Sequence, residues 1–371
     1  MTALKLPQRA RILVVALRRL GDVLLTTPLI RSLKRAFPDS AIEALVFAGT
    51  EGLLAGNPDL AGVLTLPARP TNRDSLAIAR RLWRRYDLAV STQTGDRPTL
   101  FAWTAGRVSA GPVAPNGIGA AVKRLVLDYP IAITEGCHRI EEVLSLAAAL
   151  DIPRVAEVVC PLGAVRADLI PKNDYAVIHA GPMFRYKRWT EQGWRGLATA
   201  LAERGLEVVT TGGPAAEDQR YLDTVWGDHR GVRRFEGVLS WPELAALIGS
   251  ARVYIGPDTS VTHLAAATGA PAVALYGPTD PRRWGPWPIG GLERAWAAAG
   301  TIQHRGNVWL VQNPLPCLPC QKEGCERRLD SHSQCLDELS VQQVLTAVDG
   351  ALARRVGSVI GVTLGFEHSR A

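Results

Sequence analysis

The chain has 371 residues, 47% hydrophobic and 21% charged, an ordinary globular balance in a length that favours two domains over one core. No run of about 18 apolar residues offers a membrane span, and the opening MTALKLPQRA has no apolar signal segment, so a cytoplasmic location is expected. The formal charge of +7 favours an acidic partner; with no aromatic stacking platform or recognised nucleic-acid motif, nucleic acid gives way to phosphorylated lipid or an anionic membrane face.

Residues 11–17 (RILVVAL) read as a buried strand running into Arg18-Arg19-Leu20-Gly21-Asp22. A helical pattern follows to Phe37, with Leu25, Leu29, Leu33 and Phe37 in steps of four. Thr27-Pro28 reads as a cap and first-turn proline at which the helix restarts or kinks. Residues 41–47 and 88–91 read as further strands, and strand–helix alternation of this kind implies a parallel sheet. The densest basic stretch is 79–86 (ARRLWRRY). As a helix it would carry a basic face beside Leu82, Trp83 and Tyr86, either suited to a membrane surface or simply solvated. Periodicity weakens over 152–172, around Pro153, Pro161 and Pro171, and divides the chain into domains of residues 1–160 and 161–371.

A second α/β series follows. It has a strand over 175–179, a helix over 190–204 capped by Thr190 and closed by Gly205, and a strand over 207–211 ending in Gly212-Gly213-Pro214. A helix over 240–248 opens with the capping box Ser240 and Glu243. Residues 254–286 (YIGPDTSVTHLAAATGAPAVALYGPTDPRRWGP) then read as strand, turn, small-residue helix closed at Gly269, strand and turn. In such sheets ligands bind beyond the carboxyl ends of the strands. The first turn also opens a helix, where free N–H groups and the dipole favour an anion. A phosphate-bearing ligand held by Asp258, Thr259, Ser260 and their backbone is therefore expected. The stretch beyond Arg355 is weakly patterned and expected to be mobile.

Cys137 and Cys160 stand alone and read as plain buried residues. Cys317, Cys320, Cys325 and Cys335 cluster in a late excursion whose spacing suggests a structural zinc. An iron–sulfur cluster and a reduced loop of free thiols are the alternatives, since disulfides conflict with the compartment.

Four pieces carry a family resemblance. They are Leu20-Gly21-Asp22-Val23 with Thr27-Pro28, and Lys187-Arg188-Trp189-Thr190 after a Gly-Pro loop. Gly212-Gly213 with Glu217 is the third. The fourth is Asp258-Thr259-Ser260-x-Thr262-His263-Leu264-Ala265-Ala266 with Tyr276-Gly277-Pro278-Thr279-Asp280-Pro281. In this order they make the chain similar, across nearly its full length, to the ADP-heptose:lipopolysaccharide heptosyltransferases of glycosyltransferase family 9. The resemblance implies a GT-B fold, two Rossmann-like α/β domains with parallel sheets facing across a cleft. It also implies an N-terminal acceptor domain, a C-terminal nucleotide-sugar domain, and inverting transfer with no catalytic metal or cofactor. ADP-heptose would be the donor and the lipopolysaccharide core on lipid A the acceptor, met at the inner membrane face by peripheral contact. Ser260 departs from the family's more usual glycine and lacks glycine's freedom at positive φ.

Inverting transfer needs a base for the acceptor hydroxyl and positive charge for the departing pyrophosphate. Asp22, just past the first strand, is the candidate base, against the plain alternative of a helix N-cap. Lys187 is the candidate pyrophosphate clamp, with Arg185 beside it, against a solvated basic loop. Glu217, or its neighbour Asp218, would accept ribose hydroxyls, or else satisfy a helix N-terminus. His263 would donate to phosphate or sugar, or pack in the core, and Thr279 and Asp280 would bound the sugar pocket or form a simple turn. A GT-B transferase for another nucleotide sugar and a non-catalytic nucleotide- or sugar-binding module are the competing functions. The presence of both Asp22 and Lys187 argues against the second.

Overall fold

The computed structural model describes residues 4–133 and 136–354, and the weakly patterned tail beyond Arg355 lies outside the described residues. Strand β1 (Arg11–Ala16) is buried along all but its first residue, as a strand covered on both faces must be. It joins β2 (Ala41–Phe47), β3 (Gly62–Leu66), β4 (Tyr86–Ser91), β5 (Gly106–Val113) and β6 (Tyr129–Ala132) in a parallel sheet ordered β3-β2-β1-β4-β5-β6. Helices α1 (Leu20–Leu24), α2 (Thr27–Ala36), α3 (Asn72–Leu82), α4 (Asp96–Ala105), α5 (Ile118–Val126) and α6 (Arg139–Ala149) connect and cover it. The break expected at Thr27-Pro28 is present. Thr26, not Thr27, occupies the cap position of α2, and the Thr27 hydroxyl instead donates to Leu24 O at 2.8 Å, tying α2 to α1.

The basic stretch 79–86 is not one helix. Helix α3 ends at Leu82, Arg84 adopts φ 50, and Tyr86 opens β4. Leu82 and Tyr86 are buried, and Tyr86 donates its hydroxyl to Glu43 at 2.8 Å, so Trp83 alone of the three apolar residues stays exposed. The core claims the two residues that the helical reading sets beside a basic face.

The second sheet is ordered β12-β13-β11-β10-β7-β8-β9. Its strands are β7 (Tyr175–His179), β8 (Glu207–Thr211), β9 (Val232–Arg234), β10 (Val253–Pro257), β11 (Ala272–Leu275), β12 (Ile302–Arg305) and β13 (Val308–Val311). All its pairings are parallel except β12 with β13. Its helices are α7 (Glu191–Glu203), α8 (Ala216–Trp226), α9 (Trp241–Gly249), α10 (Ser260–Thr268), α11 (Pro281–Trp284), α12 (Gln334–Asp337) and α13 (Val341–Ala353). Local signals set the boundaries: Thr190 caps α7, Ser240 and Glu243 form the expected capping box, and Gly269 ends α10 in the left-handed region at φ 84.

The two sheets are not independent bodies. One buried apolar cluster takes Leu24, Leu25, Leu53, Ile140 and Leu144 from the first domain and Val261, Leu264, Tyr254 and Trp287 from the second. The extended connection after α6 is strapped to both. Val155 and Val159 N–H donate to Ser32 Oγ and Thr27 Oγ1, each at 2.9 Å, and Trp287 Nε1 donates to Ala156 O at 2.9 Å. At Gly52 a Cβ would come within 2.5 Å of Trp241 Cδ1 across the domain boundary. Gly52→Ala is therefore expected to cost about 1–3 kcal/mol by overpacking. A melting curve that matches wild type would show that Trp241 yields freely.

Candidate functional site

The carboxyl ends of both sheets converge where the first turn of α1 meets the first turn of α10. A Cβ at Gly21 would lie 3.7 Å from both His263 Cδ2 and Ser260 Cα, which puts the two helix starts within van der Waals reach of each other. The next residue, Asp22, is the third of α1. Arg19 occupies the cap position, which excludes the N-cap reading of Asp22. The Asp22 carboxylate accepts from Arg18 Nη1 at 2.9 Å and has Arg139 Nε at 3.3 Å. Arg139 is 1% exposed; it pairs with Glu142 at 2.9 Å and donates to Thr92 O at 3.1 Å. Burial pushes the Arg139 pKa down, and Glu142 and Asp22 oppose that push. No motif marks Arg139. Its one sequence sign is Glu142, three residues on in helical register.

On the facing side, the Asp258 carboxylate lies at the end of β10, 7% exposed. Its Oδ2 receives Lys187 Nζ at 2.5 Å and the Thr279 hydroxyl at 2.6 Å. Burial pushes the carboxyl up, but Lys187 and Thr279 outweigh it and hold Asp258 below its ordinary range. Thr259 caps α10 by accepting from Thr262 N–H at 3.4 Å. Ser260 is the first residue of α10 and is not among the non-glycine residues with positive φ, so serine there carries no backbone strain. His263 is buried with Nδ1 unbonded. Burial pushes its pKa down, Lys187 acts in the same sense, and Asp258 and Asp22 oppose.

The structure thus gathers Asp22, Lys187, Asp258, Thr259, Ser260, His263 and Thr279. Asp280 differs: it caps α11 and its carboxylate is occupied by Arg282, with the closest guanidinium contact at 2.8 Å, which is the turn reading. Arg185 and Glu217 instead line a separate cavity of ≈ 680 Å³ with Arg188, Arg220, Tyr221 and His332. Glu217 is in the first turn of α8, while Asp218 lies against Gly213, its pKa raised by burial and opposed by Arg188.

The cysteine excursion braces the loops that carry Lys187 and Thr279. Gln321 N–H donates to Pro278 O at 2.8 Å, and the Ser333 hydroxyl donates to Tyr186 O at 2.6 Å. Cys335 sits behind Gly277, its thiol pushed up to about 12 by burial and by neighbouring Cys320, Cys325 and Cys317. Among the described residues no three His, Cys, Asp or Glu side chains are arranged to hold a metal ion. The thiols are neighbours without forming a closed ligand set, so the arrangement does not by itself supply a zinc geometry. Cys137 and Cys160 are half-buried, not fully buried.

The family model described as Glycosyltransferase family 9 (heptosyltransferase) matches residues 76–295. The chain is 30% identical over 354 residues to Lipopolysaccharide heptosyltransferase 1 of Pseudomonas aeruginosa, covering 90% of this chain and 93% of the relative. Among solved structures it resembles the family 9 glycosyl transferase of Veillonella parvula, with TM-score 0.75 and 18% identity over 95% of this chain and 99% of that one. It also resembles the Escherichia coli heptosyltransferase WaaC solved with ADP, with TM-score 0.69 and 19% identity over 92% and 99% of the two chains. The fold is GT-B, with two α/β domains whose sheets are parallel except for the β12–β13 pairing.

Removing one partner of a buried ion pair strands the other, at a cost of roughly 3–5 kcal/mol. Lys187→Ala should therefore destabilise the protein through Asp258. The pH dependence follows from sign. In wild type the lowered Asp258 pKa gives stability that is present above the unfolded value and lost as pH falls through the folded one. Without Lys187 burial dominates, the folded pKa rises, and the penalty develops as pH rises. Denaturant titrations should show a larger stability loss for the variant at pH 7 than near pH 4; an equal loss at both would mean that Asp258 is not the cause.

Proposed function

The chain belongs to glycosyltransferase family 9, the heptosyltransferases, and from that premise we propose that it transfers heptose from ADP-heptose to the inner core of lipopolysaccharide, with inversion and without a catalytic metal. One observation carries the reading. Asp22 follows Gly21, whose side-chain position lies 3.7 Å from His263 and Ser260 of the other domain, and Lys187 pairs with Asp258, two residues before Ser260. That juxtaposition supports a displacement with a base on one side of the reacting carbon and a cation on the other.

In the proposed step the acceptor hydroxyl oxygen forms a bond to the anomeric carbon as that carbon's bond to the pyrophosphate oxygen breaks. The hydroxyl proton passes to Asp22, and the bonding electron pair leaves with ADP. Lys187 and the free N–H groups at the start of α10 take up the growing charge. Asp258 holds Lys187 ready, and the Thr279 hydroxyl remains on Asp258 as Lys187 turns to the phosphate. Arg18 and Arg139 fix the aim of the Asp22 carboxylate. Arg185 and Glu217, in the adjoining cavity, are assigned the outer part of the donor, with Glu217 accepting from ribose hydroxyls. Among the described residues no helix is long and apolar enough to cross a membrane, so contact with a lipid-anchored acceptor at the inner membrane face would be peripheral.

Asp22→Asn should lower kcat by about 10³-fold, within the usual range for loss of a general base. Its melting profile should stay cooperative and its calorimetric affinity for ADP-heptose near wild type. Retained turnover would remove Asp22 as the base, and tighter binding of a UDP-sugar than of ADP-heptose would overturn the donor. Brief EDTA treatment should leave turnover intact; an immediate loss restored by metal would end the metal-free mechanism. A structural zinc would need Cys317, Cys320, Cys325 and Cys335 to draw together from their present arrangement; elemental analysis finding about one zinc per chain would show that they do, and a protein without zinc removes it.

A further inference from the structure

Helix α6 of the first domain meets the end of the short helix α11 of the second, and His138 makes the contact. It caps α6 and is 3% exposed. Its Nδ1 accepts the Ile140 N–H at 3.2 Å, so the ring proton sits on Nε2, which donates to Gly285 O at 2.8 Å. Burial keeps the ring neutral, its pKa pushed down to about 4, with the Gly285 contact opposing. Trp287 packs against the ring, centroids 4.8 Å apart. One nitrogen thus serves the first domain and the other the second.

Each end of this contact leads to a carboxylate of the site. On the first side the next residue is Arg139, the first of α6, whose guanidinium meets Asp22, Glu142 and Thr92 O. A shift of the α6 start carries Arg139 with it, and a side chain this buried has little room to absorb the change.

On the second side α11 is four residues long and is held at both ends. Thr279, just before the cap Asp280, donates to Asp258 at 2.6 Å. Tyr276 donates its hydroxyl to Trp284 O at 2.6 Å, and Gly285 N–H donates to Pro281 O at 2.7 Å. The carbonyl that His138 meets therefore belongs to the segment that also holds Asp258. A further contact between the two helices, Arg283 to Glu142 at 3.7 Å, is longer and has the Arg283 side chain 46% exposed, so it fixes less.

We propose that His138 is a positioning residue for Asp22. Its Nε2–H on Gly285 O registers the start of α6, and hence Arg139, against the donor-side segment, so that one domain aims the carboxylate of the other. The proposal rests on the reading of Asp22 as the base. The plainer role, a capping and packed core histidine, uses Nδ1 and the ring face alone.

Two replacements separate these roles. Asparagine keeps a cap acceptor near Nδ1 but is too short for Gly285 O; glutamine places an amide N–H near Nε2 but gives up most of the cap. His138→Asn should lower kcat for transfer from ADP-heptose about tenfold, with KM and calorimetric affinity for the donor near wild type and a cooperative melt. His138→Gln should recover kcat to within about threefold of wild type although it melts earlier. In an Asp22→Asn background the asparagine change should slow residual turnover no further, since both act through one carboxylate. Wild-type kcat in His138→Asn, with Asp22→Asn inactive, would overturn the proposal and leave the base standing. A glutamine variant slower than the asparagine one would make His138 a cap alone and overturn it too, as would the same fold-loss from His138→Asn in the Asp22→Asn background. Should His138→Asn fail to fold, His138→Gln decides: near-wild-type kcat with a lower melting temperature supports the proposal, and kcat lost with the cap overturns it. Wild-type turnover in Asp22→Asn would remove the base reading and this proposal with it.

Discussion

Two carboxylates are withdrawn from water where the domains meet, and a withdrawn charge must be answered by another charge or hydrogen bonds. Asp258 is answered by Lys187 and Thr279 on one oxygen. Asp22 is answered by Arg18 and Arg139. Each answer comes from a different loop or helix, so satisfying the charges fixes where the starts of α1, α6, α10 and the Lys187 loop lie relative to one another. The same pairing that prevents an unsatisfied carboxylate also holds Asp22 and Lys187 in place, the two groups to which the proposed mechanism gives the base and the cation. Each pair exists at a cost in desolvation, and under the proposed function the Lys187 pair is worth keeping because a pyrophosphate would offer Lys187 an alternative partner of higher charge.

The fold serves this arrangement through its connections. Parallel strands send every following loop to one edge, so Asp22 after β1 and Asp258 after β10 arrive at facing edges without long excursions. The cysteine-bearing segment supplies what strand order cannot, a brace behind the loops of Lys187 and Thr279 made through Ser333 and Gln321. Its place in the molecule is thus structural support for a site to which it contributes no reacting group.

Local physics made much of this legible in the sequence. The strand, turn and helix around Asp258 could be read because the turn residues, the cap at Thr259 and the stop at Gly269 act over a few positions. The capping box at Ser240 was equally plain. What escaped was non-local. Arg139 sits at the head of a helix with no motif around it, and its role comes from Asp22, which is remote in sequence. Residues 79–86 suggested one amphipathic helix, and only the burial of Leu82 and Tyr86 in a shared core cluster revealed a helix end, a left-handed residue and a strand start. Asp280 showed the reverse limit: an acid in a turn can be used up by local capping and a neighbouring guanidinium.

The apolar cluster that runs from Leu24 and Leu53 through Val261 and Leu264 to Trp287 has an implication for how such enzymes diversify. A donor half and an acceptor half that each closed over their own core could be exchanged between relatives as cassettes. Here one cluster draws its buried side chains from both halves. A graft that imported a new nucleotide preference would have to bring the matching faces of α1, α6 and the strap along residues 150–174, or expose a wet, ill-fitting plane through the middle of the molecule. A substitution confined to the loops at the strand ends leaves that shared packing untouched, whereas an exchange of one half does not.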